Sequence, residues 1–146
     1  MAQDDKTVLV LDNEQAEVLE KATELLFRLH IGQFEEIKWR LRSRISNKSC
    51  VNWDTIEGAL LFLRSTIFPE LSNGESFNVD CCDESAVAYS IYQAIRHANA
   101  WRRNPQGGIG VAFDPPHSVG KSIPKCYIAK EGDDICHPNT KQQAER

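Results

Sequence analysis

Tyr92, Arg96, Asn99 and Arg103 stand four, three and four residues apart, so on a helix they share one face. Arginine offers a fork of donors for carboxylate or phosphate, and a tyrosine ring can stack on a base. Trp101 lies at the same helix end and would add a flat surface. The chemistry within reach is recognition of an anionic, nucleotide-like small molecule or of an acidic partner surface. The competing arrangement has Tyr92 and Trp101 filling the edge of the core while the arginines answer glutamates of the first helix, since structural ion pairs form such clusters too. A second cationic group, Lys38, Arg40, Arg42 and Arg44, follows a run containing Glu14, Glu17, Glu20, Glu24, Glu35 and Glu36. That order complements a helix dipole on solvated faces, and read functionally it is a basic landing patch.

Other constellations fall short of a reaction. Gly120-Lys121-Ser122 ends like a P-loop, but Pro115 stands where the first glycine belongs and Pro124 blocks a following helix. Cys126, Cys136, His137 and His117 are zinc-type ligands without the C-x-x-C spacing of a zinc site, so no metal and no cofactor is assigned. A cysteine meeting one of His30, His97, His117 or His137 would make a nucleophile and base, and would support a Cys–His or metal-dependent hydrolase. No local motif of such enzymes accompanies them, so no catalytic residue is assigned and a non-enzyme is favoured.

The elements that must position these residues follow from periodicity. Thr7–Leu11, Ile109–Phe113 and Cys126–Ala129 are β-branched or apolar runs and read as short strands. From Glu14 the period becomes helical through Val18, Ala22, Leu25 and Leu29, with Asp12-Asn13 available to cap it. Past Gly32 the stripe resumes, shifted, at Phe34, Ile37, Leu41 and Ile45. This is either one bent helix to about Ser46 or two helices meeting at Gly32. Asn52 caps a helix carrying Ile56, Leu60, Leu63 and Ile67, which Pro69 ends. After a polar loop, Asp83 caps a helix to Asn104 whose buried stripe should be Val87, Ile91, Ile95 and Ala98. Strands this few cannot stand alone. The expected fold is therefore α+β: three or four helices, with a small two- or three-stranded sheet pairing the N- and C-terminal segments. Residues 1–130 form one domain, and 131–146 a polar tail expected to fray.

Whole-chain properties bound the function. The 146 residues carry a net charge of −4, which argues against a nucleic-acid binder that coats phosphates. No apolar stretch reaches a membrane span, no basic start leads into an apolar run, and the odd number of cysteines favours free thiols. A cytoplasmic protein is expected. Its amphipathic helix and edge strands invite a homodimer.

Gly32-Gln33-Phe34-Glu35-Glu36, then Tyr92-Gln93-Ala94-Ile95-Arg96, Ala100-Trp101 and the Pro105-Gln106-Gly107 turn resemble small accessory proteins of tailed bacteriophages over most of residues 8–115. The resemblance implies a viral product acting in the bacterial host cytoplasm, and it carries over no ligand or catalytic residue. It points to a non-enzymatic binding protein that engages a host protein or defence complex. The alternatives are a sponge for an anionic ligand on the Arg/Tyr face, and the hydrolase above.

Overall fold

A computed structural model describes residues 7–45 and 50–129. They form four helices, α1 (Asn13–His30), α2 (Glu35–Ile45), α3 (Trp53–Ile67) and α4 (Asp83–Arg103). The expected helix end near Ser46 and the tail 131–146 fall outside these residues.

Local chemistry sets the helix ends. Asp12 and Gln15 form a capping box, each side chain bonding the other's backbone N–H at 2.8–2.9 Å. Asn52 accepts from the Thr55 N–H to start α3. The first and second helices are separate, which settles the choice left open at Gly32. Gly32 adopts φ 86°, its N–H bonds the Leu29 carbonyl, and the Gln33 N–H bonds the Arg28 carbonyl. This is a Schellman ending, which requires a left-handed residue at that position. A side chain there would also strike Leu71, 2.7 Å from an added Cβ.

The α1–α4 antiparallel pair is the body of the protein. Phe27, Ile31, Ala88 and Tyr92 are its buried centre, with Phe77, Val79 and Tyr89 packed against them. Phe27 meets Tyr89 edge-on at 5.1 Å and Tyr92 at 5.3 Å, geometries aromatic pairs favour. The α2–α3 hairpin is joined to this body by polar links. Arg28 and Arg40 share Glu24 and Glu36 between α1 and α2, and Lys38 pairs with Glu57 between α2 and α3. Arg64, only 6% exposed, donates to the carbonyls of Gly32, Ser72 and Glu75 at 2.9, 2.9 and 2.6 Å. One guanidinium thus ties α3 to the α1–α2 junction and to the loop before α4.

The expected sheet is not there: among the described residues there is no strand, and the fold is all-helical rather than α+β. Residues 7–11 are irregular, with Val8, Leu9 and Val10 exposed. Residues 109–113 form bends and a turn, and residues 126–129 are irregular. β-branching favours a strand only where a ladder partner exists, and these runs have none. Gly107 (φ 81°) and Gly110 (φ 130°) turn the chain out of extension, leaving Ile109 bare while Phe113 folds back on Trp101 at 5.6 Å. That segment caps the end of α4 instead of pairing. Further along, the Gln93 carboxamide grips the His117 backbone, donating to its carbonyl at 2.8 Å and accepting its N–H at 3.2 Å.

Candidate functional site

The helix that was expected to present Tyr92, Arg96, Asn99 and Arg103 outward is turned so that this face meets α1. Tyr92 is 9% exposed and belongs to the core, and the Asn99 amide donates to Glu20 at 2.6 Å. Arg96 lies over the Tyr92 ring at 5.0 Å, with Nη2 3.4 Å from the Val111 carbonyl. Arg103, half exposed, reaches Glu17 at 3.8 Å, and Arg102 reaches the same carboxylate at 3.2 Å. Trp101 packs between His97 and Phe113. The residues are brought together, but around α1's glutamates, which is the competing arrangement weighed from the sequence. The expected buried stripe is displaced to match: Ile95 is buried while Val87 is exposed. Two packing partners decide this. Ala88 and Tyr92 meet α1, and Gln93 on the other side of α4 is covered by the His117 segment. Val87 and Ile91 are left lining an open groove beside α1.

Burial, then the Glu24 carboxylate, raises the Tyr92 phenol above its ordinary 10.0, with Arg96 partly offsetting them. The folded state therefore holds this proton more tightly than the unfolded chain. Its contribution to stability is fully present below pH 10 and is lost as pH rises from about 10 through the raised value. Urea midpoints measured from pH 7 to 11 should fall less steeply above 10 in Tyr92→Phe than in the wild type. Parallel curves would rule the tyrosine out as the cause.

The second basic group divides. Lys38 and Arg40 are consumed by Glu57, Glu24 and Glu36. Arg42 and Arg44 are exposed and, among the described residues, have no acidic partner; Arg42 lies over Trp39 at 5.3 Å. The helix that follows, α3, carries the barest large apolar residue in any described helix. Phe62 is 74% exposed, and Leu61, Leu63 and Ile67 are about half exposed. Thr55, Gly58, Ala59, Phe62, Ser65 and Thr66 share one exposed, uncharged strip of α3, flanked at its start by the exposed acids Asp54 and Glu57, and an added Cβ at Gly58 would meet nothing within 4 Å. Reading only the stripe Ile56, Leu60, Leu63 and Ile67 hid Phe62. The available signal was a helix apolar on more than one side, which in a small fold is either buried or a contact surface.

Gly120-Lys121-Ser122 makes a tight turn with Gly120 at φ 81°, and Lys121 pairs with Asp83 at 2.8 Å. Lys121 holds the Asp83 carboxyl below its ordinary range, by hydrogen bond first and by charge second. Among the described residues no three His, Cys, Asp or Glu side chains are placed to hold a metal ion; Cys136 and His137 lie outside them. The N-cap of α4 is Cys82, not Asp83: its sulfur accepts the Ser85 N–H at 3.4 Å. Beside it, His30 and Glu84 complete a cluster that no sequence spacing announces, because His30 lies 52 residues earlier. From Asp83 and Glu84 an open groove of about 340 Å³ runs between α1 and α4, lined by Thr23, Leu26, Val87, Ala88 and Ile91.

No helix among the described residues is long and apolar enough to cross a membrane. No protein-family model, no curated protein and no solved structure matches this chain.

Proposed function

We propose that this chain is a non-enzymatic binding protein whose α2–α3 hairpin docks on a partner protein. The observation that carries the reading is the bare apolar surface of α3 around Phe62. Leu61, Phe62, Leu63 and Ile67 together leave on the order of 400 Å² of apolar side chain bare, a size at which patches on monomers are commonly functional. Arg42 and Arg44, free of acidic partners among the described residues, stand on the neighbouring helix. Charge complementarity then defines the occupant as a protein surface with an apolar centre and an acidic rim. The resemblance to tailed-phage accessory proteins supplies a setting, namely a bacterial host protein or defence complex that is inhibited or modulated. The anionic-ligand alternative has less support, because Tyr92 is in the core and the groove's charged liners are carboxylates.

The test uses the tagged full chain to capture a partner from bacterial lysate, followed by affinity measurement with that partner purified. Phe62→Asp should weaken binding about 30-fold or more, as truncating an interface anchor does. Its urea stability should stay within about 0.5 kcal/mol of the wild type, as for a surface change. Reversing Arg42 and Arg44 to Glu should slow association and flatten its salt dependence. Unchanged affinity of Phe62→Asp overturns the reading. So does a wild-type dimer that Phe62→Asp dissociates while neither form captures a partner, because the face would then belong to a second copy.

A further inference from the structure

Cys82 and His30 meet where the last turn of α1 passes the first turn of α4. The Cys82 sulfur lies 3.6 Å from Nδ1 of His30, and Nε2 of His30 lies 3.4 Å from Oε2 of Glu84. The two contacts select one tautomer: a proton on Nε2 faces the carboxylate and leaves the Nδ1 lone pair facing the sulfur. A thiol, an acceptor for its proton and a carboxylate orienting that acceptor thus stand in sequence, the arrangement that activates thiol nucleophiles. The Ser85 N–H also donates to this sulfur at 3.4 Å, at a helix end that favours negative charge. Cys82 is exposed, so an electrophile can reach it.

Its neighbour is held in the opposite way. The Cys81 thiol donates to the His30 carbonyl at 3.7 Å. Desolvation, and behind it the neighbouring Cys82, raises Cys81 above the ordinary 9.0, and the Ser85 side chain offsets only part of this. Cys81 thus holds its proton more tightly than an ordinary thiol.

The surroundings narrow the reaction. The groove beside Glu84 offers Thr23, Asp83 and Glu84 as its polar liners, and carboxylates oppose the oxyanion of acyl transfer. The charged and titratable groups around the sulfur are His30 from α1, Asp83 and Glu84 from α4, Cys81 from the preceding loop, and Lys121, which reaches Asp83 from the segment after α4. With two acids following it directly, the site suits a small cationic electrophile over an anionic one.

We propose that Cys82 is a reactive thiol that undergoes exchange with small cationic disulfides, with His30 as its proton acceptor and Glu84 positioning His30. His30 Nδ1 takes the proton from Cys82 Sγ. The thiolate attacks one sulfur of the disulfide, the new S–S bond forms as the old one breaks, and the departing thiolate takes the proton back from His30. Cys82 is oxidised to a mixed disulfide, and the other half of the disulfide is reduced to a free thiol.

The reduced full chain is treated with cystamine at pH 7, quenched, and mapped by peptide mass. Cys82 should be modified about tenfold faster than Cys50 and Cys126, which are also exposed. Cystamine should outpace oxidised glutathione by a wider margin at Cys82 than at Cys50. His30→Gln should slow Cys82 about tenfold and leave Cys50 unchanged. Glu84→Gln, an exposed change whose amide oxygen still accepts the Nε2 proton, should give an intermediate rate. Equal rates at Cys82 and Cys50 in the wild type overturn the proposal whatever the variants do. A Cys82 rate untouched by both His30→Gln and Glu84→Gln overturns the roles of those residues, and the Glu84 variant carries that arm should His30→Gln lose its circular-dichroism spectrum.

Discussion

Replacing Arg64 with Leu is expected to remove about 3–5 kcal/mol of folding stability, the loss expected when one buried charged donor to three carbonyls is deleted. Leucine fills much of the same space, so the loss comes from hydrogen bonds. Three carbonyls, those of Gly32, Ser72 and Glu75, lose a charged donor at once. Bonds to charged groups are worth about 1.5–3 kcal/mol each, and those of Ser72 and Glu75, near the surface, regain part of this from water. The Gly32 carbonyl, whose bond to Arg64 is the buried one, regains least. Arg64→Lys keeps the charge without the planar fork and should lose about half as much. Urea unfolding followed by circular dichroism measures both. A loss below about 1 kcal/mol for Arg64→Leu would mean that the guanidinium does not hold the junction. The damage should also be regional: amide exchange should quicken first in α2, α3 and residues 69–77, while α1 and α4 stay protected.

Phe27→Ala should be as severe, about 3–5 kcal/mol, by a different route. The ring is 4% exposed and is the point where Tyr89 and Tyr92 meet α1. Its removal leaves a cavity between two helices whose remaining buried centre is Ile31, Ala88 and Tyr92. So small a centre cannot close over the hole, because Tyr92 is pinned under Arg96 and beside Glu24. Total stability for a domain of this kind is about 5–15 kcal/mol, so the variant approaches global unfolding. Phe27→Leu, which keeps most of the volume, should lose well under half as much. Amide exchange separates this variant from Arg64→Leu, because here α1 and α4 themselves lose protection. Protection of α1 and α4 at the wild-type level in Phe27→Ala would show that the aromatic contact is not the body's anchor.

The helices were legible in the chain because their punctuation is local. Asp12, Asn52 and Pro69 act within one turn of where they stand, and α1 and α3 begin or end at them. Gly32 was legible as an interruption, but the close approach of Leu71, Phe68 and Arg64 that leaves no room for a side chain there comes from elsewhere in the chain. The strands were misread at residues 7–11, 109–113 and 126–129 because β-branching describes a fit to a sheet that these runs never find. The face of α4 was misread because hydropathy ranks Val87 and Ile91 above Ser85, Ser90 and Gln93. Packing on a second side of α4 ranks them the other way: Gln93 is buried where it holds the His117 segment, and all three polar residues are among the most buried of the described residues. The Cys82–His30 meeting and the three bonds of Arg64 join residues distant in sequence, and no periodicity encodes such pairs. Phe62 was visible all along as one apolar residue too many on α3.

The grip of Gln93 on His117 has a consequence for the described segment after α4, residues 104–129. A carboxamide has no proton to gain or lose across the biological range, so this fastening is indifferent to acidity and hardly responds to salt. The ion pair a few residues on, Lys121 with Asp83, answers to both. The segment through His117 and Lys121 is thus a strap with one permanent buckle and one adjustable one: conditions can slacken it at Lys121, over the start of α4 where Cys82 sits, without unhooking it at His117.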